Sequence, residues 1–324
     1  MSESTLPTLD AMREARKRVD DLVRHTPLLP LDERFGATDV LLKLETHQPV
    51  GSFKMRGIVN AVASLSEAAR AKGLSTVSAG NTAQALAWAG RHFGVPARSL
   101  MPDSAPRTKI AAIEAYGGEP VLVPVAEVFD YLKQRRWEDE PYTFIHPWTN
   151  LDVMTGHGSL GLELIEDVPE LSSVFIPVGG GGLISGVGAA LKQSRPDIRI
   201  VAVEPEGCPA FHESLRAGRP VEVACETICD GVAVPYMTEE MFPRMAELVD
   251  ATRLVSERDV MAYVKNLALG NKLVVEPSGA LAAAAAATEP VSERGVAVAI
   301  VTGGSIDPGK LAAILEDDSL PGFG

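Results

Sequence analysis

Short apolar runs rich in β-branched residues alternate with helix-like stretches along most of the chain. The runs predict strands at Val40–Glu45, Thr76–Ser78, Ser99–Met101, Val121–Val125, Val174–Val178, Ile198–Glu204 and Val296–Thr302. Amphipathic or alanine-rich stretches predict helices at Gly57–Lys72, Ala83–Phe93, Arg107–Tyr116, Ile184–Gln193 and Ala280–Thr288. The pattern therefore indicates strands that are connected by helices.

This alternation predicts an α/β fold with parallel twisted sheets covered by helices, because a helix between two strands forms a right-handed crossover. The strand runs are continuously apolar rather than alternating, as is typical of strands that are buried on both faces. In such sheets ligands bind at the loops that follow the carboxyl ends of the strands. Those loops are where we expect the chemistry of this protein.

Composition and charge narrow the class of protein. A chain of 324 residues, 46% of them apolar, is expected to form two globular domains. The net charge of −13 argues against binding to nucleic acid or to an anionic membrane, because both require basic patches. No apolar stretch approaches the roughly 18–20 residues of a membrane helix, and Met1–Asp10 lack the order of a secretory signal. We therefore expect a cytoplasmic protein.

The three cysteines, Cys208, Cys225 and Cys229, suggest no disulfide framework and fit a reducing compartment. A metal pair at Cys225 and Cys229 would need a second ligand pair, and the sequence has none with suitable spacing. We therefore predict inert thiols and no metal site.

Four consecutive glycines, Gly179–Gly182, follow a predicted strand and precede a predicted helix. Glycines allow backbone N–H groups to converge on an anion, and the start of a helix adds its positive end. A tight turn alone would explain one or two glycines but not four. The segment therefore predicts a phosphate-binding loop.

A dinucleotide fold also uses a strand, a glycine loop and a helix, with an acid at the end of the next strand. Glu204 stands at that place, about twenty residues further on. However, Ile184 occupies the position of the third glycine of that motif, and this strand is not the first of the chain. A nicotinamide oxidoreductase therefore remains an alternative, whereas a Walker loop is excluded because no Gly-Lys-Ser/Thr follows.

Lys54 lies in the segment Gly51–Gly57, at the start of a predicted helix. The helix N-terminus disfavours a protonated amine, so we expect a lowered pKa for this lysine. Such a lysine is suited to Schiff-base chemistry. Together with a phosphate-binding loop, it indicates a phosphorylated aldehyde cofactor.

Two further loops offer polar groups at strand ends. Ser78–Thr82 joins a strand to a helix, and its hydroxyl and N–H groups are suited to a carboxylate, although a simple helix cap is the alternative. Thr302–Ser305 places a hydroxyl after the last strand, where a plain glycine turn is equally compatible.

These segments together resemble the fold-type II pyridoxal-phosphate enzymes, in particular the branch of threonine/serine dehydratases and serine racemases. The strongest matches are Ser52–Gly57, Ser78–Asn81, Gly179–Gly182 and Thr302–Gly304. Weaker matches are His25–Leu28, Gly156–Ser159, Asp230–Val232 and Glu276–Gly279. They occur in the order of the family from residue 25 to 304, so the resemblance covers nearly the whole chain.

The resemblance implies that Lys54 binds pyridoxal 5′-phosphate covalently and later acts as the base at the substrate Cα. It places Phe53 against the cofactor ring, Asn81 at the phenolic oxygen and the Thr302 hydroxyl at the pyridine nitrogen. It assigns the phosphate to Gly179, Gly180, Gly181, Gly182 and Leu183. It assigns the substrate carboxylate to Ser78, Ala79, Gly80, Asn81 and Thr82.

The expected activity is a dehydratase that converts a β-hydroxy amino acid, such as L-threonine or L-serine, to a 2-oxo acid and ammonium. Thr82 and His157 stand where the family commonly has His and Gln, which leaves the substrate side chain open. Ala79 replaces the serine that serves racemases as the base on the opposite face, so racemisation ranks below elimination. A β-replacement enzyme ranks below elimination too, as does a non-catalytic binding protein, which would not need Lys54.

The resemblance also implies a domain organisation. A small mobile domain of residues 47–146 would close over a large cofactor-binding domain made of residues 1–46 and 147–324. The large domain carries Glu204 at the position of a divalent-cation ligand, but Ala210 replaces the expected second carboxylate, so we expect no metal. A homodimer is the expected assembly.

Overall fold

The computed structural model of this protein describes residues 6–35 and 39–320. Its strands are β1 (Leu28–Pro30), β2 (Val40–Leu44), β3 (Leu74–Val77), β4 (Ala97–Pro102), β5 (Glu119–Val123), β6 (Thr143–Phe144), β7 (Ser173–Pro177), β8 (Arg199–Pro205), β9 (Ala251–Val255) and β10 (Ala297–Val301). They form a six-stranded sheet in the order β1-β2-β10-β7-β8-β9 and a four-stranded sheet in the order β5-β4-β3-β6. All neighbouring strands are parallel except β1 and β2, which confirms the predicted α/β class.

The α-helices lie mainly between the strands. They are α1 (Leu9–Val19), α2 (Lys54–Ser64), α3 (Glu67–Ala71), α4 (Asn81–Phe93), α5 (Arg107–Ala115), α6 (Val125–Lys133), α7 (Leu151–Asp167), α8 (Gly182–Ser194), α9 (Ala210–Ala217), α10 (Met241–Leu248), α11 (Glu257–Leu269), α12 (Pro277–Thr288), α13 (Val291–Arg294) and α14 (Pro308–Glu316). Single 3-10 turns occupy Glu33–Phe35, Glu45–His47, Arg136–Asp139 and Asp230–Val232. None of the helices in the described ranges is long and apolar enough to cross a membrane.

Most predicted elements differ from the observed ones by a few residues at their ends, and two of these differences have a clear local cause. The helix predicted at Gly57–Lys72 is two helices, because the chain turns at Leu65 and the Ser66 hydroxyl accepts the N–H of Ala69 to start α3. The strand predicted at Val121–Val125 ends at Val123, and Val125 already begins α6. Pro124 lies between them, and its fixed φ suits the residue before a helix.

Helix α7 holds together the two helices that begin at the predicted site. It packs between α2 and α8, and both contacts depend on glycine. A Cβ at Gly156 would lie 2.3 Å from the carbonyl oxygen of Arg56 in α2, and a Cβ at Gly186 of α8 would lie 2.2 Å from that of Met154. Since such distances are too short for any side chain, glycine allows the three backbones to approach closely.

The alanine-rich segment forms helix α12, as predicted, and this helix packs against the core of the six-stranded sheet. Strand β10 is fully buried, and α12 packs against it with ten consecutive buried residues from Pro277 to Ala286. A Cβ at Gly279 would lie 2.5 Å from the carbonyl oxygen of Gly303, just after β10. Small residues therefore bring α12 directly against the loop that carries Thr302.

The prediction of inert thiols is correct for only one cysteine. Cys229 is buried and unpaired, and burial raises its pKa to about 12. Cys208 and Cys225 form a disulfide with their Cα atoms 4.3 Å apart. The prediction of no disulfide is therefore wrong, because the chain folds back between α9 and the turn at Asp230–Val232 and brings together two cysteines that are separated by 17 residues.

Candidate active site

A cavity of about 310 Å³ lies between the carboxyl ends of the two sheets. Its lining includes every residue predicted for cofactor or substrate binding, namely Phe53, Lys54, Ser78, Ala79, Gly80, Asn81, Thr82, Gly179, Gly180, Gly181, Gly182, Leu183 and Thr302. The structure therefore brings together four loops that are separated by up to about 250 residues in the sequence. This is the arrangement that a single bound molecule spanning Lys54 and the glycine loop would require.

Lys54 is the first residue of α2, and backbone hydrogen bonds fix its loop to the end of β10. The N–H of Phe53 donates to the carbonyl oxygen of Thr302 at 3.0 Å, and the N–H of Gly304 donates to that of Gly51 at 3.0 Å. The Lys54 amine donates to the carbonyl oxygen of Pro147 at 3.2 Å. Burial lowers its pKa to about 8, against the opposing charge of Glu276. The predicted direction of this shift is correct, but its cause is burial rather than the helix end.

A buried ionic network fixes the first turn of α2, two residues after Lys54. The Arg56 guanidinium, with only 1% of the residue exposed, donates to Glu45 at 2.7 Å and to Glu163 of α7 at 2.6 Å. The amine of buried Lys43 lies 2.8 Å from Glu163. Burial would raise the pKa of Glu163, but the charges and hydrogen bonds of Arg56 and Lys43 outweigh it and lower that pKa. The network therefore holds the lysine loop against α7.

The glycine loop presents unpaired N–H groups at the start of α8. Gly181 has a φ of +89°, which only glycine adopts readily, and α8 begins at Gly182. Within the described residues, the N–H groups of Gly180–Leu183 have no hydrogen-bond acceptor. Such a cluster at a helix N-terminus is suited to a phosphate.

Close packing explains why the second position of this loop must be glycine. A Cβ at Gly180 would lie 2.3 Å from the Trp148 ring, and a Cβ at Gly182 would lie 3.0 Å from the Trp148 backbone. Trp148 therefore packs directly against the glycine loop and supports it. This tryptophan could not be identified from the sequence, because its position after β6 carries no recognisable signal.

We expect Gly180→Ala to weaken pyridoxal-phosphate binding about 10- to 100-fold, because the added methyl must displace Trp148 or the loop at a cost of about 1–3 kcal/mol. The Kd from fluorescence titration of the cofactor-free protein measures the effect. Gly309→Ala, in the exposed start of α14, is the matched control and should leave the Kd unchanged. An unchanged Kd for Gly180→Ala would contradict the assignment of the loop.

The segment Ser78–Thr82 forms a second cluster of donors. Helix α4 begins at Asn81, and the N–H groups of Asn81 and Thr82 have no acceptor in the part of the chain that the structure describes. The Ser78 hydroxyl accepts the N–H of Gly80 at 3.1 Å, so that N–H is not available to a ligand. The arrangement still offers two N–H groups and a hydroxyl to a carboxylate.

Asn81 and Glu276 form a polar pair in the cavity. The Asn81 amide nitrogen donates to Glu276 at 2.7 Å, while its side-chain oxygen is buried with no partner among the described residues. Burial, reinforced by the charge of Asp230, raises the pKa of Glu276 to about 7. A Cβ at Gly303 would lie 2.4 Å from Glu276, which explains the glycine after Thr302. In the sequence, Glu276 stands out only as part of a weak family match, which gives it no role.

The Thr302 hydroxyl lies in the cavity with only a weak hydrogen-bond partner. The buried Thr302 hydroxyl lines the cavity and donates to the carbonyl oxygen of Ser278 at 3.4 Å, a distance that leaves it available to a better acceptor.

Glu204, the candidate cation ligand, caps a helix: its two oxygens accept the N–H groups of Phe211 and His212 at the start of α9, both at 2.8 Å. Within residues 6–35 and 39–320 there is no group of three or more His, Cys, Asp or Glu residues suited to a metal ion.

The residues present fit pyridoxal phosphate. The glycine loop has free N–H groups for the phosphate, Lys54 has a lowered pKa for the aldehyde, and the Asn81 side-chain oxygen is a buried polar atom of the same cavity without a partner among the described residues. Ligand binding would thus satisfy polar groups that the protein alone leaves unpaired.

Comparisons with known proteins identify the family of this chain. The sequence profile described as "Pyridoxal-phosphate dependent enzyme" matches residues 19–303. The chain is 35% identical to an L-threonine ammonia-lyase of Geobacter sulfurreducens over 94% of this chain and 77% of the relative. It is 35% identical to a serine racemase of Schizosaccharomyces pombe over 96% and 98% of the two chains. The solved structure of maize serine racemase superposes with a TM-score of 0.88 at 33% identity, covering 95% of this chain and 97% of that one. The chain belongs to the pyridoxal-phosphate dependent enzyme family, and pyridoxal phosphate is its cofactor.

Proposed function

We propose that this protein is an ammonia-lyase that converts a 3-hydroxy amino acid, such as L-threonine or L-serine, to a 2-oxo acid and ammonium. The observation that carries the proposal is the cavity in which Lys54, the glycine loop and the start of α4 meet. Bound pyridoxal phosphate supplies the aldehyde and the electron sink that make the Cα–H bond of the substrate acidic. The protein residues position the substrate and move its protons.

Lys54 has two roles in the proposed reaction. Its lowered pKa increases the fraction of neutral amine, which is the form that attaches the cofactor. When the substrate amine takes its place, the same amine is free to remove the proton from the substrate Cα. The hydroxyl group then leaves from Cβ and takes up a proton to become water, which balances the proton that Lys54 removed from Cα. A water molecule is consumed when the amino group is released as ammonium, so the overall reaction conserves water.

The other residues bind and orient the substrate and the cofactor. The N–H groups of Asn81 and Thr82 and the Ser78 hydroxyl hold the substrate carboxylate, and Phe53 covers the cofactor ring. The N–H groups of the glycine loop, from Gly179 to Leu183, hold the phosphate. These roles fix the substrate between two helix starts, α4 and α8, whose positive ends both favour anions.

Thr302 favours elimination over reactions that need a long-lived carbanion. Its neutral hydroxyl would donate to the pyridine nitrogen of bound pyridoxal phosphate without enforcing protonation there, as an aspartate would. The weaker electron sink disfavours storage of negative charge at Cα and so favours prompt loss of a leaving group from Cβ.

Racemisation is the second candidate, because relatives named serine racemase match the chain over nearly its full length. Racemisation requires a proton donor on each face of the substrate Cα. Ala79 lines the cavity next to Ser78 and has no group that could donate a proton. We therefore rank elimination first.

We also propose that residues 47–146 close over the site as a small domain on the large domain of residues 1–46 and 147–324. The four-stranded sheet lies wholly within the smaller range. Two pairs span the cleft: Lys109 contacts Asp230, and the Thr108 hydroxyl donates to Asp307 at 3.2 Å. Closure would exclude water during the reaction. The family resemblance further supports a homodimer in the cytoplasm.

The purified protein, loaded with pyridoxal phosphate, is expected to release 2-oxo acid and ammonium in equal amounts from L-threonine or L-serine. Reduction of the 2-oxo acid by lactate dehydrogenase and a glutamate dehydrogenase assay measure the two products. Chiral chromatography of the remaining substrate is the parallel measurement. If the opposite enantiomer accumulates without 2-oxo acid, the protein is a racemase and the proposal is wrong.

A further inference from the structure

One wall of the cavity is apolar and lies beside the loop proposed for the substrate carboxylate. We call it the apolar wall; its residues are Val77, Leu100, Pro102, Val128, Leu132 and Trp148. Val77 directly precedes Ser78, and the N–H of Ser78 donates to the carbonyl oxygen of Leu100 at 3.0 Å. A substrate held by its carboxylate at Ser78–Thr82 therefore lies next to this wall.

Most of the apolar wall is backed by a packed cluster of side chains. Val77, Val128 and Leu132 are buried and pack with Tyr131, Trp137 and Phe144. The Trp137 and Phe144 rings stack with centroids 4.6 Å apart. Because this cluster joins the four-stranded sheet, α6 and the turn after α6, the wall is held in place by several elements.

The charged groups of the cavity are already engaged. Lysines and acids in the lining are Lys54, Lys109, Asp230 and Glu276. Lys109 is paired with Asp230, Glu276 accepts a hydrogen bond from Asn81, and the proposed function assigns Lys54 to the cofactor. Among the described lining residues, no further lysine or arginine is left to neutralise a second carboxylate of a substrate.

From these observations we infer that the site selects 3-hydroxy amino acids with a bulky apolar group on Cβ, such as an aryl or a branched alkyl group. This inference rests on the proposed function and names its substrate class. An apolar Cβ substituent gains free energy by leaving water for the apolar wall. A side-chain carboxylate would instead lose its hydration against that wall, in a cavity that already contains the carboxyl groups of Asp230 and Glu276.

A second cavity extends beyond the apolar wall. Leu132 and Trp148 line both the active-site cavity and a more open cavity of about 700 Å³, whose lining also includes Lys133, His146 and Tyr236. These two side chains therefore form the partition between the cavities. Movement of Leu132 alone would give room to a Cβ substituent larger than the methyl of threonine, without disturbing the support of the glycine loop by Trp148.

The test compares kcat/KM for 2-oxo acid release from serine, threonine, 3-hydroxyleucine, phenylserine and 3-hydroxyaspartate. We expect phenylserine or 3-hydroxyleucine to exceed serine at least about 10-fold, since each methylene in an apolar pocket contributes about 10-fold or more. Equal or higher values for serine or 3-hydroxyaspartate would overturn the inference but leave the lyase function intact. Absence of 2-oxo acid from the whole panel would instead overturn the proposed function.

A charge in the apolar wall provides an independent test. Val128→Lys is expected to lower kcat/KM for phenylserine at least about 10-fold and to raise that for 3-hydroxyaspartate. The matched control is Leu122→Lys, which places the same charge at a residue on β5 that is 46% exposed and outside the cavity. An unchanged ratio between the two substrates in Val128→Lys would count against the inference.

Binding without turnover gives a third readout on the wild-type holoenzyme, which does not depend on the folding of any variant. L-phenylalanine and L-alanine lack a leaving group, so their binding can be followed by the change in the visible absorption of the cofactor. We expect L-phenylalanine to bind at least about 10-fold more tightly than L-alanine. Tighter binding of L-alanine would contradict the inference.

Discussion

Lys54→Ala is expected to abolish release of 2-oxo acid, with a loss of at least about 10⁴-fold in kcat. In the proposed reaction the substitution removes both the amine that attaches the cofactor and the base at Cα, so two catalytic contributions disappear together. The visible absorption band of the lysine-bound cofactor should disappear as well. Stopped assays over hours, with cofactor in excess, measure the remaining rate.

Two further variants test whether the loss of activity comes from the missing amine and not from the missing charge or from a general effect of removing a lysine. Lys54→Arg keeps a cation in the cavity but is always protonated, so it should be as inactive as Lys54→Ala. Lys17→Ala removes an exposed lysine of α1 and should leave kcat within about twofold of the wild type. If Lys54→Ala retained more than a few per cent of wild-type turnover, the role of Lys54 would be refuted.

Arg56→Ala is expected to destabilise the protein by about 3–5 kcal/mol, the usual cost of removing one partner from a buried ion pair. The substitution leaves Glu45 and Glu163 buried without the guanidinium that bridges them. Because the network fixes the first turn of α2, the variant should also bind pyridoxal phosphate more weakly. Urea unfolding followed by circular dichroism measures the stability.

A surface arginine is the matched control for this effect. Arg13→Ala breaks an exposed pair with Asp10, and its expected cost is about 0–1 kcal/mol. A loss in Arg56→Ala no larger than the loss in Arg13→Ala would show that the network does not stabilise the fold. If Arg56→Ala had normal stability but bound the cofactor more weakly, the role of the network would be limited to positioning Lys54.

Local sequence patterns determined the fold class and the loops of the site. The strands around the site are apolar and short, and the loops after them contain glycine or polar residues, so each loop could be recognised from its neighbours alone. The glycine loop is the clearest case, because four glycines between a strand and a helix have few physical uses other than anion binding. The order of four such loops then identified the family.

Contacts between distant residues could not be determined in this way. The pairing of Cys208 with Cys225, the contact of Asn81 with Glu276 and the support of Gly180 by Trp148 join segments that have no local pattern in common. The cause of the lowered pKa of Lys54 was also beyond the sequence, since burial depends on which segments cover the amine.

Local structure could be predicted and contacts between distant residues could not, for one physical reason. Hydrogen bonding and side-chain periodicity act over a few residues, so strands, helices and their connecting loops are determined by the sequence itself. Distances, burial and charge pairing across a cavity arise only when two sheets pack around it. For this protein, the sequence specified the loops that meet at the cavity, whereas the tertiary structure decided that apolar side chains form one wall of it.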